Sequence, residues 1–529
     1  MNTSSPSSSS STNIHTPSDP IDSPISVSQS PQNTSLPIAV RKPTRQIVKP
    51  LKYNDYVLNL GTTHVKAIYP LVACLSYDNL SPGYKKYVLA LESTHIPANF
   101  EEAVQIEAWK KAMDVEIEAQ EANRTWDIVP RPLNKRVIGN RWVYAIKFLS
   151  DGEIERHKAR LVAKGFTQIY GIDFLDTYSP VAKLNSVKTL LAVAAAKNWQ
   201  MIQLDVSNAF LNGDLEEDVY MELPPGINKP GYVCKLRKSL YGLKQASRQW
   251  FAKLTSVLLS FGYIQSANDY SMFSHRSSSG ISVLLVYVDD IIIAGDDTVS
   301  MQALKQHLSS QFKLRDLGHL HYFLGLEMAR SREGIHICQK KYCTDLLKDT
   351  GFVDSKPVAT PIDMKTRLSA DDGPLMEDPT AYRKIIGRLH YLTITRPEIT
   401  FAVQQLCQYQ AAPTTTHLQL AYRVLKYLKN APGQGLFYPS SSDLKLRGYS
   451  DSDWASCPDT RKSTTGCCIT FGSSLIIWKS KKQGTVSRSS SEAEYRALAQ
   501  LTCEVVWVKR LLQELGIEHP QPVNLFCDN

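Results

Sequence analysis

The chain has 529 residues, 43% of them apolar, which is more than one ordinary hydrophobic core uses and excludes a wholly disordered protein. Its formal net charge of +9 favours a polyanionic partner or surface without specifying nucleic acid. The ten cysteines include no Cys-x-x-Cys pair, which argues against a zinc knuckle and a disulfide framework and fits a reducing compartment.

Residues 1–10 are polar and serine-rich with no apolar core, so no secretory signal is expected. The apolar-rich run 281–288 is far short of the roughly 20 residues that a membrane-spanning helix needs, so no membrane partner is expected. Residues 1–50, rich in Ser, Thr, Pro, Asn and Gln and ending in Arg41, Lys42, Arg45 and Lys49, are expected to be a disordered arm, followed by a linker over 51–100. An amphipathic helix is expected over 101–123 and an extended segment over 126–129.

Alternating β-branched and aromatic residues over 136–148, an Asp151-Gly152 turn and a return over 154–165 read as a hairpin. Between Lys135 and Phe166 eight Lys or Arg face three Asp or Glu, a balance that suits either contact with phosphates or plain solubility of exposed strands. Residues 184–198 read as an Ala- and Leu-rich helix, and 201–206 as a short apolar strand carrying Asp205 near its end. Two β-branched runs, 281–286 and 291–294, flank Tyr287-Val288-Asp289-Asp290 and predict two strands joined by a tight acidic turn.

Between 355 and 444, proline-containing loops alternate with helical segments over 382–392 and 418–430 and supply no obvious chemistry. A new α/β pattern opens at 444: strands over 445–450, 466–471 and 475–479, a helix over 491–515 and a strand over 523–527.

Adjacent aspartates in a turn between apolar strands repel each other unless a cation neutralises them, and a hard ion such as Mg²⁺ suits carboxylate oxygens. A tandem Asp is by itself more often a structural turn than a metal site. A third carboxylate would complete a site, and Asp205 is the natural candidate, at the end of an apolar strand and ahead of a Gly213-Asp214 turn.

The blocks WKKAMDVEIEAQEANRTWDIV, HKARLVAKGFTQIYGIDFLDTYSPVAK, QLDVSNAFLNGDLEEDVYMELPPG, KLRKSLYGLKQASRQW, LLVYVDDIIIAG, LGHLHYFLGLEM and SDSDWASCPDTRKSTTG follow one another in this order. With them the chain resembles the reverse transcriptases of copia-type long-terminal-repeat retrotransposons over nearly everything after residue 100. The resemblance implies an α+β right-hand polymerase, with fingers and palm over 101–345 and a thumb or connection over 346–444. A truncated α/β RNase H-like domain over 445–529 would follow.

By the same resemblance, Asp205, Asp289 and Asp290 hold two Mg²⁺ ions, replaceable by Mn²⁺, for nucleotidyl transfer from a dNTP to a primer 3′-hydroxyl on an RNA or DNA template. Phe210, a core residue by composition, falls where the family keeps a ring that excludes a 2′-hydroxyl. Tyr241 and Gly242 fall in the family's dNTP- and template-contacting loop, where glycine permits close backbone approach. Lys158 and Arg160 resemble the residues that hold the triphosphate, and spacing does not choose between them. Phe323, Leu324 and Gly325 sit where relatives place the primer-gripping hairpin, although composition equally reads a buried strand.

Asp451, Glu494 and Asp528 look like the first three acidic positions of an RNase H-like site, with Asp453 and Glu492 as lesser alternatives. The sequence ends one residue after Asp528, so a later helix, strand and fourth acid are expected to be missing and RNase H activity lost. No integrase zinc cluster or nucleocapsid knuckle is read, and 51–100 resembles the linker after integrase, so the back part of a larger polyprotein is expected. Implied partners are an RNA template, a DNA primer or RNA–DNA hybrid and dNTPs, together with a transfer RNA primer and a separate capsid protein. The implied location is cytoplasmic, with the nucleus as the alternative. The competing expectation is a catalytically inactive relic that only binds nucleic acid.

Overall fold

The computed structural model describes residues 95–148, 154–363 and 365–527. The arm, the linker up to residue 94, the Asp151-Gly152 turn and Asp528 lie outside the described residues.

The first expected helix divides in two. A single turn, Phe100–Ala103, is capped by the Asn99 side chain, and helix α1 (Glu107–Ala122) starts afresh after Ile106, whose backbone is extended. α1 buries Trp109, Met113, Glu116 and Gln120, the i, i+4, i+7, i+11 spacing of one helical face, and lies against the strand carrying Lys158 and Arg160. β1 (Trp126–Pro130), β2 (Val137–Ile138), β6 (Tyr220–Met221) and β7 (Tyr232–Leu236) form a small sheet in the order β1-β7-β6-β2. The expected hairpin is a separate ribbon, β3 (Asn140–Phe148) antiparallel to β4 (Ile154–Ala163).

The central sheet has six strands in the order β12-β5-β11-β10-β9-β8. They are β5 (Gln200–Val206), β8 (Ile264–Gln265), β9 (Met272–Ser277), β10 (Gly280–Tyr287), β11 (Asp290–Gly295) and β12 (Leu314–His319). An antiparallel sheet with one wet face would alternate apolar and polar residues, yet the β10 and β11 runs are almost unbroken. Both faces are covered. Leu284, Val286, Ile291 and Ile293 join a core with α3 (Ala246–Ser260) and α4 (Thr298–Gln311). Val283, Leu285, Ile292 and Ala294 join one on the opposite side with α2 (Leu184–Ala196).

Beyond it, β13 (Tyr322–Phe323), β14 (Leu326–Arg330), β15 (Gly334–Cys338) and β16 (Leu436–Pro439) form a four-stranded sheet in chain order. Helices α5 (Lys340–Asp349), α6 (Thr380–Leu392), α7 (Thr400–Cys407) and α8 (Thr415–Leu428) enclose a separate helical core. α6 and α8 match the two expected helical segments. α7 and β16 were not foreseen.

The last sheet runs β19-β18-β17-β20, with β17 (Leu446–Ser452), β18 (Thr464–Phe471) and β19 (Ser474–Lys482) antiparallel and β20 (Asn524–Phe526) parallel to β17. α9 (Ser490–Glu514) makes the crossover and packs on β17. This last region shares a core with the central sheet. Val505, Val508 and Leu511 of α9 and Ile476 and Ile477 of β19 belong to the same apolar cluster as Leu190 and Val193 of α2. Polar contacts fasten the seam: Trp507 Nε1 donates to Asn268 O at 3.0 Å, and Glu514 accepts from Ala267 N at 3.1 Å and Asn268 Nδ2 at 2.8 Å. Among the described residues, no helix is long and apolar enough to cross a membrane.

Candidate active site

Backbone register builds the acidic site. In the β5–β11 pairing Asp205 stands directly across from Asp290, and on the other side of β5 Arg315 of β12 stands across from Asp205. Asp289 lies in the two-residue connection between β10 and β11, fixed to β5 by a Val206 N–H bond to its carbonyl at 2.9 Å. Asp205 and Asp290 are half-buried and Asp289 is exposed.

Burial, and then the charge of Asp289, pushes the Asp205 carboxyl above its ordinary value, while Arg315, Lys158 and Arg160 pull it down. Burial and Asp289 likewise raise Asp290, with a smaller push from Asp205, against a hydrogen bond from the Gln203 side chain. Asp205 and Asp290 therefore both lie within reach of the Asp289 charge, in surroundings that penalise their ionisation. Among the described residues, no three His, Cys, Asp or Glu side chains are already gathered as a cation cage. The donors fit an oxygen-seeking ion such as Mg²⁺, which would have to draw the three carboxylates together.

The basic ribbon reaches the same place. Lys158 and Arg160, two residues apart on β4 and so on one face, both act on Asp205. Burial and the neighbouring Arg160, Arg156 and Lys147 charges lower the Lys158 ammonium, against a small raise from Glu116. Arg160 lies with its Cζ 4.4 Å from the centre of the Tyr241 ring, and its buried Nε has no hydrogen-bond partner. Phe210 follows β5 in a short 3₁₀ turn, Ala209–Asn212, half-buried with its ring edge-on to Tyr241 at 5.3 Å. Burial raises the Tyr241 hydroxyl, which donates to Asn208 Oδ1 at 3.4 Å. Arg160, Tyr241 and Phe210 thus follow one another in contact, the guanidinium over the Tyr241 ring and the Phe210 ring edge-on to it.

Gly242 does make a close approach, and its partner is protein. At φ +92° a Cβ there would stand 2.1 Å from the Ala163 carbonyl, and Ala163 N donates to Tyr241 O at 2.7 Å. Any side chain at 242 would separate the Tyr241 loop from β4.

Phe323 is fully buried at the end of β13, and Leu324-Gly325 form a two-residue turn into β14, both with positive φ. The buried-strand and hairpin readings therefore both describe this segment. Leu324 O accepts from Tyr391 Oη of α6 at 2.5 Å. Burial raises the Tyr391 hydroxyl, with smaller contributions from Tyr322 and from Tyr287, which precedes the acidic turn.

Asp451 is exposed on β17, and Glu494 of α9 accepts from Ser452 N at 2.8 Å. Of the two lesser alternatives, Asp453 accepts from Thr464 N at 2.8 Å, and Glu492 accepts from Arg488 N at 2.7 Å in the first turn of α9. Asp528 lies outside the described residues.

Arg315, Gln203 and Trp250 were missed. The only sequence signals are a basic residue in the apolar-flanked run 312–317 and a Gln two positions before Asp205. Trp250 Nε1 donates to Val288 O at 2.7 Å, inside the acidic turn, and nothing in the local sequence announces that contact.

Residues 123–364 match the family described as "Reverse transcriptase (RNA-dependent DNA polymerase)". The chain is similar to the retrovirus-related Pol polyprotein from transposon RE1 of Arabidopsis thaliana, 45% identical over 454 residues, covering 85% of this chain and 31% of that one. It thus spans about a third of that relative's length. An uncharacterized mitochondrial protein of the same plant, AtMg00810, is 43% identical over 224 residues, 42% of this chain and 93% of that one. A solved foamy viral protease-reverse transcriptase in complex with an RNA/DNA hybrid aligns with a TM-score of 0.43 and 11% identity, over 82% of this chain and 49% of that one. The chain belongs to the reverse transcriptase family, within the group of copia-type transposon Pol polyproteins.

Proposed function

We propose that the chain is an RNA-directed DNA polymerase that adds dNTPs to a primer 3′-hydroxyl on an RNA or DNA template, with Asp205, Asp289 and Asp290 as its metal ligands. The observation that carries this reading is the register placing Asp205 across from Asp290 with Asp289 in the adjoining turn. Two Mg²⁺ ions, or Mn²⁺ in their place, would supply Lewis acidity at the attacking and leaving oxygens. The chain's own groups do the positioning. Arg160, oriented by the Tyr241 ring, and Lys158 bring two cations to the triphosphate. Phe210 packs beneath the sugar and leaves no room for a 2′-hydroxyl, so discrimination is by shape.

In this reading the ribbon and central sheet are fingers and palm, the helical core is the thumb or connection, and the Leu324-Gly325 turn grips the primer. A transfer RNA primer, a separate capsid protein and an intracellular, mainly cytoplasmic location complete it.

Primer extension on a homopolymer RNA template with Mg²⁺ or Mn²⁺ tests the reading, with Asp289→Asn as the control. The wild-type chain should extend, and Asp205→Asn, Asp289→Asn and Asp290→Asn should each fall at least about a hundredfold, the scale of removing a group that stabilises transition-state charge. Wild-type extension no greater than the control would leave only nucleic-acid binding. In the same assay Phe210→Ala should raise ribonucleotide use relative to dNTP by about tenfold or more, the scale of a steric contact in a pocket. An unchanged ratio would remove Phe210 from sugar selection.

We further propose that the β17-β18-β19-α9-β20 unit is RNase H-like but serves as a platform for the hybrid, with little or no cleavage by these 529 residues. What supports this is that Glu494 already accepts from Ser452 N at 2.8 Å while Asp451 stands exposed on β17. Incubation with a labelled RNA–DNA hybrid should leave the RNA strand intact, and clear Mg²⁺-dependent cleavage would contradict this.

A further inference from the structure

The acidic turn is held in a conformation its sequence does not favour. Of its two connecting residues, Val288 has a φ of +56°, whereas hairpin turns that require this conformation usually place Gly or Asn there. A β-branched side chain in the left-handed region is strained and persists only where the surroundings impose it. Two hydrogen bonds do so: Val206 N–H to the Asp289 carbonyl at 2.9 Å, and Trp250 Nε1–H to the Val288 carbonyl at 2.7 Å. The first is backbone and independent of residue type. The second depends on one side chain.

Trp250 is built to stay in place. It is 1% exposed on α3, edge-on to Phe312 at 5.1 Å, and its backbone lies so close to Gly213 that a Cβ there would stand 2.6 Å from Trp250 N. The indole has few other positions open to it and one polar atom to satisfy, which it spends on the Val288 carbonyl.

We propose that Trp250 is a positioning residue for the polymerase reaction: its indole N–H locks the left-handed Val288 and thereby sets where Asp289 and Asp290 present their carboxylates. The inference rests on the reading of those two aspartates as metal ligands. Trp250 acts through the turn and touches no substrate, so its loss should change turnover more than substrate binding.

The test compares the full-length wild type, Trp250→Phe, Val288→Gly and the double variant in primer extension, with melting temperatures measured alongside. Trp250→Phe should lower kcat about tenfold, the consequence of losing one buried hydrogen bond, with KM for dNTP unchanged. Val288→Gly, which adopts a positive φ without cost, should remove most of that loss, so that the double variant performs within about threefold of Val288→Gly alone. If Phe leaves too large a cavity to fold, 3-benzothienylalanine at position 250 keeps the ring, replaces the N–H by sulfur, and should give the same loss and the same rescue. An N–H-deficient side chain that supports wild-type kcat, or a loss that Val288→Gly does not relieve, would overturn the inference while leaving the polymerase reading intact. Wild-type extension no better than Asp289→Asn would overturn both.

Discussion

Asp205 and Asp290 face each other across neighbouring strands, and Asp289 follows in the turn between two strands that are otherwise apolar. Three like charges are thereby concentrated at one end of a buried sheet. Partial burial, and then the charge of Asp289, raises the Asp205 and Asp290 carboxyls from their ordinary values, and cations oppose that rise. Arg315 relieves part of it from β12, and Lys158 and Arg160 from the ribbon. What the protein cations leave is the negative charge on which the proposed metal binding rests.

The rest of the structure keeps that arrangement from relaxing. A hairpin free on one face could splay its acidic end, but β10 and β11 are covered on both sides, by α3 and α4 in one core and α2 in the other. The second core does not stop at the central sheet: it continues into β19 and α9, so the last sheet braces the first. Buried Lys188 of α2 illustrates the closeness of this seam. Its ammonium lies 3.6 Å from the centre of the Trp478 ring on β19, and burial, with the Lys479 charge, lowers its pKa to about 7.

Local features and the association of Asp205 with the acidic turn were legible in the sequence, whereas most tertiary contacts were not. The β-branched runs around Asp289-Asp290 specified two strands and a tight turn, and the Ala- and Leu-rich run specified α2, because both patterns reside in contiguous residues. The arrival of Arg315 beside Asp205 depends on β12 joining the sheet edge more than a hundred residues later. Glycine at 242 signals a close backbone approach, but that its neighbour is Ala163 of β4 depends on tertiary packing. The positive φ of Val288 contradicts its residue type, so only the structure and its Trp250 contact could reveal it. Such local disagreement is expected where function overrides propensity.

Metal binding by the three carboxylates is read by Mn²⁺ titration of the full-length chain followed by electron paramagnetic resonance. The free-ion signal should fall saturably with the wild-type chain, and the loss should be strongly weakened in Asp205→Asn, Asp289→Asn and Asp290→Asn, each of which removes one anionic oxygen donor. Binding that is absent from the wild type, or that survives all three substitutions unchanged, would contradict the account.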